Sequence, residues 1–347
     1  MNLPNETVKW GLSVVTYETL AAIAAGIAFV ALVLILMGIK ENKIEELRFP
    51  WKVSWLFMTG ILLAVPVILG LHLEQPLRSI FIFLRANPTS PMPYGVIILS
   101  LWLLTALYGI YLIKKNSLSE KNIKGLSILA AICGILFVTY LGFLLSVMNG
   151  IKLWYSPLKP VQYIVSIFGV GSAVIFIAYK LAEYRDAKTI GRLAFLMMLG
   201  VAANIIVKAV NLLHGIYYSN TPGFSSMGMG FTHIGLEWLL GLLLPVGLLS
   251  YGGGLKGKIP VLNLSAVLII IGSFFEKYNL IIGGQLISRT GYILQPDKQH
   301  IWGTEAFQAL GGIALAVFFL LMLFMIVPPK NYEDEYMGSV SGNSLNQ

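Results

Sequence analysis

At 347 residues, 57% of them hydrophobic and 12% charged, with a mean hydropathy of +0.79, the chain falls outside the range of soluble globular domains and reads as an integral membrane protein. No apolar stretch alternates polar and apolar residues, which excludes an outer-membrane barrel. The net charge of +8 is an orientation signal and not a nucleic-acid footprint, because the basic residues gather in alternate connections between apolar stretches.

A bilayer core about 30 Å thick calls for about 20 apolar residues per helix. Nine stretches meet that need, at 14–39, 55–73, 94–113, 126–148, 161–181, 193–213, 231–251, 260–282 and 307–327, which predicts an all-α membrane protein with nine transmembrane helices. The first stretch opens with Tyr17 and Glu18. It follows Asn5 and Glu6 instead of a basic run and lacks a cleavage site, so it is expected to be a retained helix and not a signal peptide.

The second stretch leads through His72 and Glu74 into the segment 71–95, LHLEQPLRSIFIFLRANPTSPMPYG. This segment carries Arg78 and Arg85 and has proline at 76, 88, 91 and 93. Each proline lacks an N–H donor and clashes with the preceding turn, so the segment is a shaped polar loop between two helices.

The fourth stretch holds Tyr140 and Cys133, the only cysteine. One cysteine can form neither an internal disulfide nor an iron–sulfur cluster, which needs about four thiolates. Any redox cofactor is therefore expected to come from elsewhere, with no haem or metal in this chain.

The first four helices are expected to pack as one four-helix bundle (about 10–150) and the next four as a second (about 160–285), with an extra helix at 306–328 beside them. Residues 1–328 then form one membrane domain, and the polar tail 329–347 is expected to be disordered. Ala21, Ala22, Ala25 and Gly26, and Gly169, Gly171 and Ala173, are small enough for close helix contact in lipid. The loops 219–230 and 288–305 are solvated or cap a partner.

Orientation follows from the basic residues. With the N-terminus outside, fifteen of the 24 Lys and Arg residues fall in inner connections and seven in outer ones. The 71–95 loop then faces the extracytoplasmic side of the cell membrane.

Ionisable residues inside spans are costly, and each is a functional candidate. Here they are Glu18, His72, Glu74, Lys208, His214, His233, Glu237, Glu276 and Lys277, with Tyr17 and Tyr140 as polar aromatics. Glu276 and Lys277 read more simply as snorkelling at a helix end, Lys208 as the structural partner of a carboxylate, and His214 and His233 as interfacial. The four histidines all lie near one face of the membrane with none deep in a bundle, which argues against a pair of haem ligands.

The run Glu74-Gln75-Pro76-Leu77-Arg78, followed by Asn87-Pro88-Thr89-Ser90-Pro91-Met92 and Gly95, resembles the NrfD-like family of membrane subunits, typified by that of polysulfide reductase. Further matches are Tyr140-Leu141-Gly142, Leu153-Trp154, Arg192, and Glu237, Gly241 and Pro245 at four-residue spacing. The resemblance spans about residues 10–285.

It implies a quinone-reactive subunit without its own redox cofactor, working beside an iron–sulfur subunit and a molybdopterin catalytic subunit on the outer face. It implies that Glu74 and Tyr140 are the catalytic pair at a menaquinone-like quinone; Tyr17 or Glu18 on the first helix, with His72, are expected to help bind it. It also places Arg192 on a proton route, to which Lys208 and Glu237 are natural additions. The loop with Arg78, Arg85 and Pro91 would dock the iron–sulfur partner. Some relatives carry a histidine on the first helix at the quinone, where this chain has Tyr17 and Glu18.

The chemistry fits these residue types. A phenol can hold a ring oxygen, and a carboxylate can accept a proton where burial raises its pKa toward neutrality. The competing class is a proton-coupled secondary transporter. That would want broken helices and a midplane site reachable from both sides, whereas the acidic groups here gather toward one face.

Overall fold

In lipid every backbone N–H and C=O must find its partner within its own segment, so a chain of apolar spans folds as helices. The computed structural model describes residues 10–41, 45–72, 81, 87–148, 150–151, 153–215, 230–286, 303 and 305–328. Nine helices among them are long and apolar enough to cross a membrane, and the chain is an all-α multi-pass membrane protein. They are α1 (Leu12–Lys40), α2 (Arg48–His72), α3 (Met92–Lys114), α4 (Glu120–Ser146), α5 (Lys159–Leu181), α6 (Ala187–His214), α7 (Phe231–Ser250), α8 (Ile259–Gln285) and α9 (Ala306–Ile326). Glu74, Arg78 and Arg85, nearly all of the loops 219–230 and 288–305, and the tail 329–347 lie outside the described residues.

Helix starts run ahead of the sequence reading at α4 (Glu120 against 126), α6 (Ala187 against 193) and α2, and α7 differs in its winding. α2 begins at Arg48, ahead of the expected 55, because Pro50 falls in the first turn, where its missing N–H costs nothing. That early turn buries Trp51, whose Nε1 donates to Ser127 Oγ of α4 at 2.8 Å. Trp55 Nε1 donates to the Ala106 carbonyl of α3 at 2.9 Å. The second departure is α7, which is π-helical from Phe231 to Leu243 and α-helical only over Leu244–Ser250.

Helix ends are set by local chemistry. Ser119 caps α4 by accepting from the Asn122 N–H at 3.2 Å, and Asp186 caps α6 by accepting from the Thr189 N–H at 2.8 Å. Before α3, Asn87 Oδ1 accepts from the Thr89 N–H at 3.1 Å and from its hydroxyl at 2.8 Å, and Pro91 takes the cap position.

α1 packs on α2 and α4, and α3 closes against α2 and α4, giving the first bundle. α5 packs on α6 and α8, and α7 closes against α8, giving the second; α9 lies at the side, on α2 and α1. The bundles meet where α1 and α4 touch α5. At this seam a Cβ on Gly26 would stand 2.3 Å from the Ile167 carbonyl oxygen, and one on Gly171 would stand 2.2 Å from the Gly26 carbonyl carbon. Glycine is thus required at both positions, since main chains approach this closely only when neither carries a side chain.

Candidate functional site

One end of the molecule collects most of the polar residues singled out above. The ends of α1 and α8 are joined there by two hydrogen bonds between Trp10 and Gln285, N–H to Oε1 at 3.0 Å and Nε2 to the carbonyl at 2.7 Å. Trp10 stacks on Trp154 at 5.2 Å, and Trp154 Nε1 donates to the Leu280 carbonyl at 2.6 Å. Together they form an aromatic plate over the seam.

Beneath this plate, in the first bundle, lie Tyr17 and Glu18 of α1, Tyr140 of α4 and His72 of α2. At about 1.5 Å rise per residue, Glu18 is about 9 Å below the start of α1 and Tyr140 about 9 Å below the end of α4, at the same end of the molecule, so the two stand at one level. Tyr17, Glu18 and Tyr140 are close enough to interact electrostatically. Tyr140 is held in place by Gly95, where a Cβ would fall 2.2 Å from the phenol ring. His72 Nδ1 hydrogen-bonds Ser13 Oγ at 2.9 Å, one turn above Tyr17 on the same helix.

Glu18 is 1% exposed and accepts the Tyr163 hydroxyl of α5 at 2.5 Å. The hydroxyls of Tyr17 and Tyr140, by contrast, make no hydrogen bond among the described residues. Burial of a phenol normally comes with a partner for its hydroxyl. Two phenols that make no hydrogen bond among the described residues thus stand beside a buried carboxyl, two donors and an acceptor at one level. Of the five residues expected at a quinone, four are gathered here, and Glu74 lies outside the described residues.

The second bundle continues the polar layer. Lys208 of α6 pairs with Glu237 of α7, and its Nζ lies 3.4 Å from Glu276 Oε2 on α8. Glu237 Oε2 also accepts Asn279 Nδ2 at 2.6 Å and hydrogen-bonds His233 Nδ1 at 3.0 Å. Glu276 accepts Gln162 Nε2 at 3.3 Å and Asn204 Nδ2 at 3.2 Å. Lys277 Nζ lies 3.5 Å from Glu276 Oε1 and 3.6 Å from the centre of the Tyr163 ring.

The expectation that Glu276 and Lys277 snorkel at a helix end is overturned: they are 2% and 0% exposed, facing partners on neighbouring helices. Nor is His233 simply interfacial, since it sits one turn from Glu237 and bonds it. Lys159, one of the seven basic residues assigned to outer connections, is buried at the start of α5.

Arg192 stands apart from Lys208 and Glu237. It is 16 residues before Lys208 on α6, about 24 Å along the axis. There it pairs with Glu41 at the end of α1, as does Lys188 at 2.6 Å. These two cations hold the Glu41 carboxyl down at about 2.

The sequence reading passed over Tyr163, Gln162 and Asn204, whose polar side chains inside apolar spans were the signal to follow. Among the described residues no three His, Cys, Asp or Glu side chains cluster as a metal site would require.

The fold and this polar layer define a polytopic helical membrane protein with a group of phenols, carboxyl and imidazole near one end of its bundles. Residues 2–288 match the family model described as polysulphide reductase, NrfD, and the chain belongs to that family. It is also 28% identical over 229 residues, 64% of its length, to a subunit of the tetrathionate reductase of Archaeoglobus fulgidus, and it spans 60% of that relative's length.

Proposed function

We propose that this chain is the quinone-reactive membrane subunit of a multi-subunit respiratory oxidoreductase. It exchanges electrons between menaquinol, or a similar quinol, and an iron–sulfur partner on the extracytoplasmic side, where a molybdopterin-bearing partner carries the terminal chemistry. The observation that carries the reading is the pair of phenol hydroxyls, Tyr17 and Tyr140, that make no hydrogen bond among the described residues, beside buried Glu18. The likeness to part of a reductase assembly agrees with it. The N-terminus lies outside in this reading, which puts the phenols near the outer surface and the Asn87–Pro91 turn where a partner can dock, together with Arg78 and Arg85.

A quinol supplies two electrons and two protons. Tyr140 and Tyr17 offer a hydroxyl to each ring oxygen, and the apolar walls of α1, α3 and α4 exclude water. Glu74 and Glu18 accept the protons, while Tyr163 holds the Glu18 carboxyl in one orientation and Ser13 holds the His72 ring. Gly95 keeps Tyr140 in line by leaving its ring the space of a methyl group.

Glu74→Gln and Tyr140→Phe test the reading in the assembled complex, with partner activity toward an artificial electron donor confirming assembly. Quinol-dependent turnover is expected to fall about 10²-fold in each, the lower end of what a positioned acid or base contributes. Wild-type rates in both variants defeat the assignment. Purification separates this reading from the transporter, which comes alone, whereas this chain should arrive with cluster-bearing partners.

A further inference from the structure

At the end of the first bundle away from the phenols, α3 and α4 are joined by residues 115–119, and the turn is held from several sides. Asn116 takes a left-handed backbone (φ 53°), which asparagine accepts more readily than most residues, and Leu118 is buried. The Ser117 N–H donates to the Leu112 carbonyl at 3.2 Å, and Asn122 Nδ2 donates to the Ser117 carbonyl at 3.4 Å. This turn sets Lys114 and Lys115, at the end of α3, beside Lys121 and Lys124, in the first turns of α4. All four are exposed. None pairs with an acidic group among the described residues, whereas Lys188 and Arg192 are both engaged by Glu41. Glu120 is the one acid among them, so the cluster keeps three net positive charges.

An apolar wall runs from the cluster toward the middle of the membrane. It consists of Leu101, Leu104, Tyr108 and Tyr111 of α3, spaced three and four residues apart, and of Ile132 and Leu136 of α4, all exposed. Its end is preformed: Lys115 Nζ lies 4.8 Å from the centre of the Tyr111 ring, which stacks on Tyr108 at 6.2 Å. Tyr111 and Tyr108 stand about 5 and about 9 Å from Lys114 along the axis, the depth at which a tyrosine hydroxyl meets lipid headgroups. Next to Lys124, Gly125 leaves the surface open, since a Cβ there would meet nothing within 4 Å.

We infer that this end of α3 and α4 is a binding site for an anionic phospholipid. The phosphate lies among Lys114, Lys115, Lys121 and Lys124, and the acyl chains lie along the wall. Charge complementarity selects the occupant: clustered cations at a helix end attract an anionic headgroup, while a zwitterionic headgroup brings a cation of its own. A soluble anion would leave the wall unused. A partner helix would have to bring acids to match the lysines. The site is independent of the quinone reading and lies at the opposite end of the bundle from Tyr140.

The test uses the whole complex, stripped of lipid in a neutral detergent and titrated with phosphatidylglycerol or phosphatidylcholine while native mass spectrometry counts bound lipid. Wild type is expected to hold one more phosphatidylglycerol than the quadruple variant Lys114→Gln, Lys115→Gln, Lys121→Gln, Lys124→Gln, and to prefer it about tenfold over phosphatidylcholine. Tyr111→Leu, which keeps the wall apolar but removes the ring under Lys115, is expected to weaken binding about threefold. The control is Lys256→Gln with Lys258→Gln, which removes two exposed lysines on the same side of the molecule and is expected to change nothing. Equal binding by wild type and the quadruple variant overturns the inference, as do equal affinities for the two lipids and inorganic phosphate competing as well as the lipid does. A density map with a partner helix on the wall overturns it too. Should the quadruple variant fail to assemble, the pairs at 114 and 115 and at 121 and 124 are tested separately. Each is expected to lose about threefold in affinity, and no loss in both overturns the inference. None of these readouts involves quinol, so the quinone reading stands or falls separately.

Discussion

Gly95 shows how much one missing methyl group can decide. It lies in the first turn of α3, where a Cβ would meet Cε1 and Cζ of Tyr140 at 2.2 Å. Gly95→Ala should therefore leave the helix intact while swinging the phenol away from Tyr17 and Glu18. Quinol-dependent turnover of the complex is expected to drop at least tenfold with no loss of assembled protein, which a steady-state assay on membranes holding equal amounts of the complex will report.

The residues around this glycine also mark the limit of what the sequence tells. Tyr17, Glu18, Tyr140 and Glu237 could be singled out because a polar group in a span is expensive. Glu276 and Lys277 were equally visible, yet they read as a helix end. Hydropathy places a residue along a helix axis but not around it, and it is the rotation of α8 that turns both side chains onto Tyr163, Gln162 and Asn204.

At the scale of elements, the spans were legible because each is long and apolar, whereas the start of α2 was hidden by Arg48 and Lys52 and the π-helical course of α7 has no compositional signature. The pairing of Arg192 was hidden as well: its partner Glu41 lies 151 residues earlier, at the end of α1.

That clamp carries a pH dependence of definite sign. Hydrogen bonds from Lys188 and Arg192 depress the Glu41 carboxyl from an ordinary 4.5 to about 2, so the stabilisation is complete above 4.5 and is lost as the pH falls toward 2. The carboxylate is partly exposed and screened, so the effect is small. The melting temperature of wild type should exceed that of Glu41→Gln by a constant amount above pH 4.5, and the gap should close as the pH falls from 4.5 toward 2.

A larger effect belongs to the seam of α1 and α5. Gly171→Ala forces a methyl against the backbone of Gly26 and should cost about 1–3 kcal/mol, the usual penalty for overpacking. Thermal unfolding of the detergent-solubilised complex measures it, and a melting temperature equal to wild type contradicts the close approach.

For the molecule as a whole, the charge distribution makes a topological prediction. The only cysteine, Cys133, is buried in the middle of α4, so single cysteines can be introduced without a background on the surface. With the N-terminus outside, Thr89→Cys should react with a membrane-impermeant maleimide on intact cells. Ser117→Cys, at the other end of α3, should react only after the membrane is opened. The reverse pattern would put the phenols on the cytoplasmic side and remove the proposed partner from reach.

The two-bundle plan could be anticipated from hydropathy alone, but the way the halves are joined could not, because it depends on which glycines of α1 and α5 face each other. Where Gly26 meets Gly171 the two backbones touch with nothing between them. No acyl tail or detergent molecule fits into that join, and Phe29 against Phe168 at 4.6 Å and the Trp10–Trp154 stack secure it on either side. The covalent link between the halves is thus mechanically redundant: a protein nicked in the short connection between α4 and α5 would still migrate as one particle.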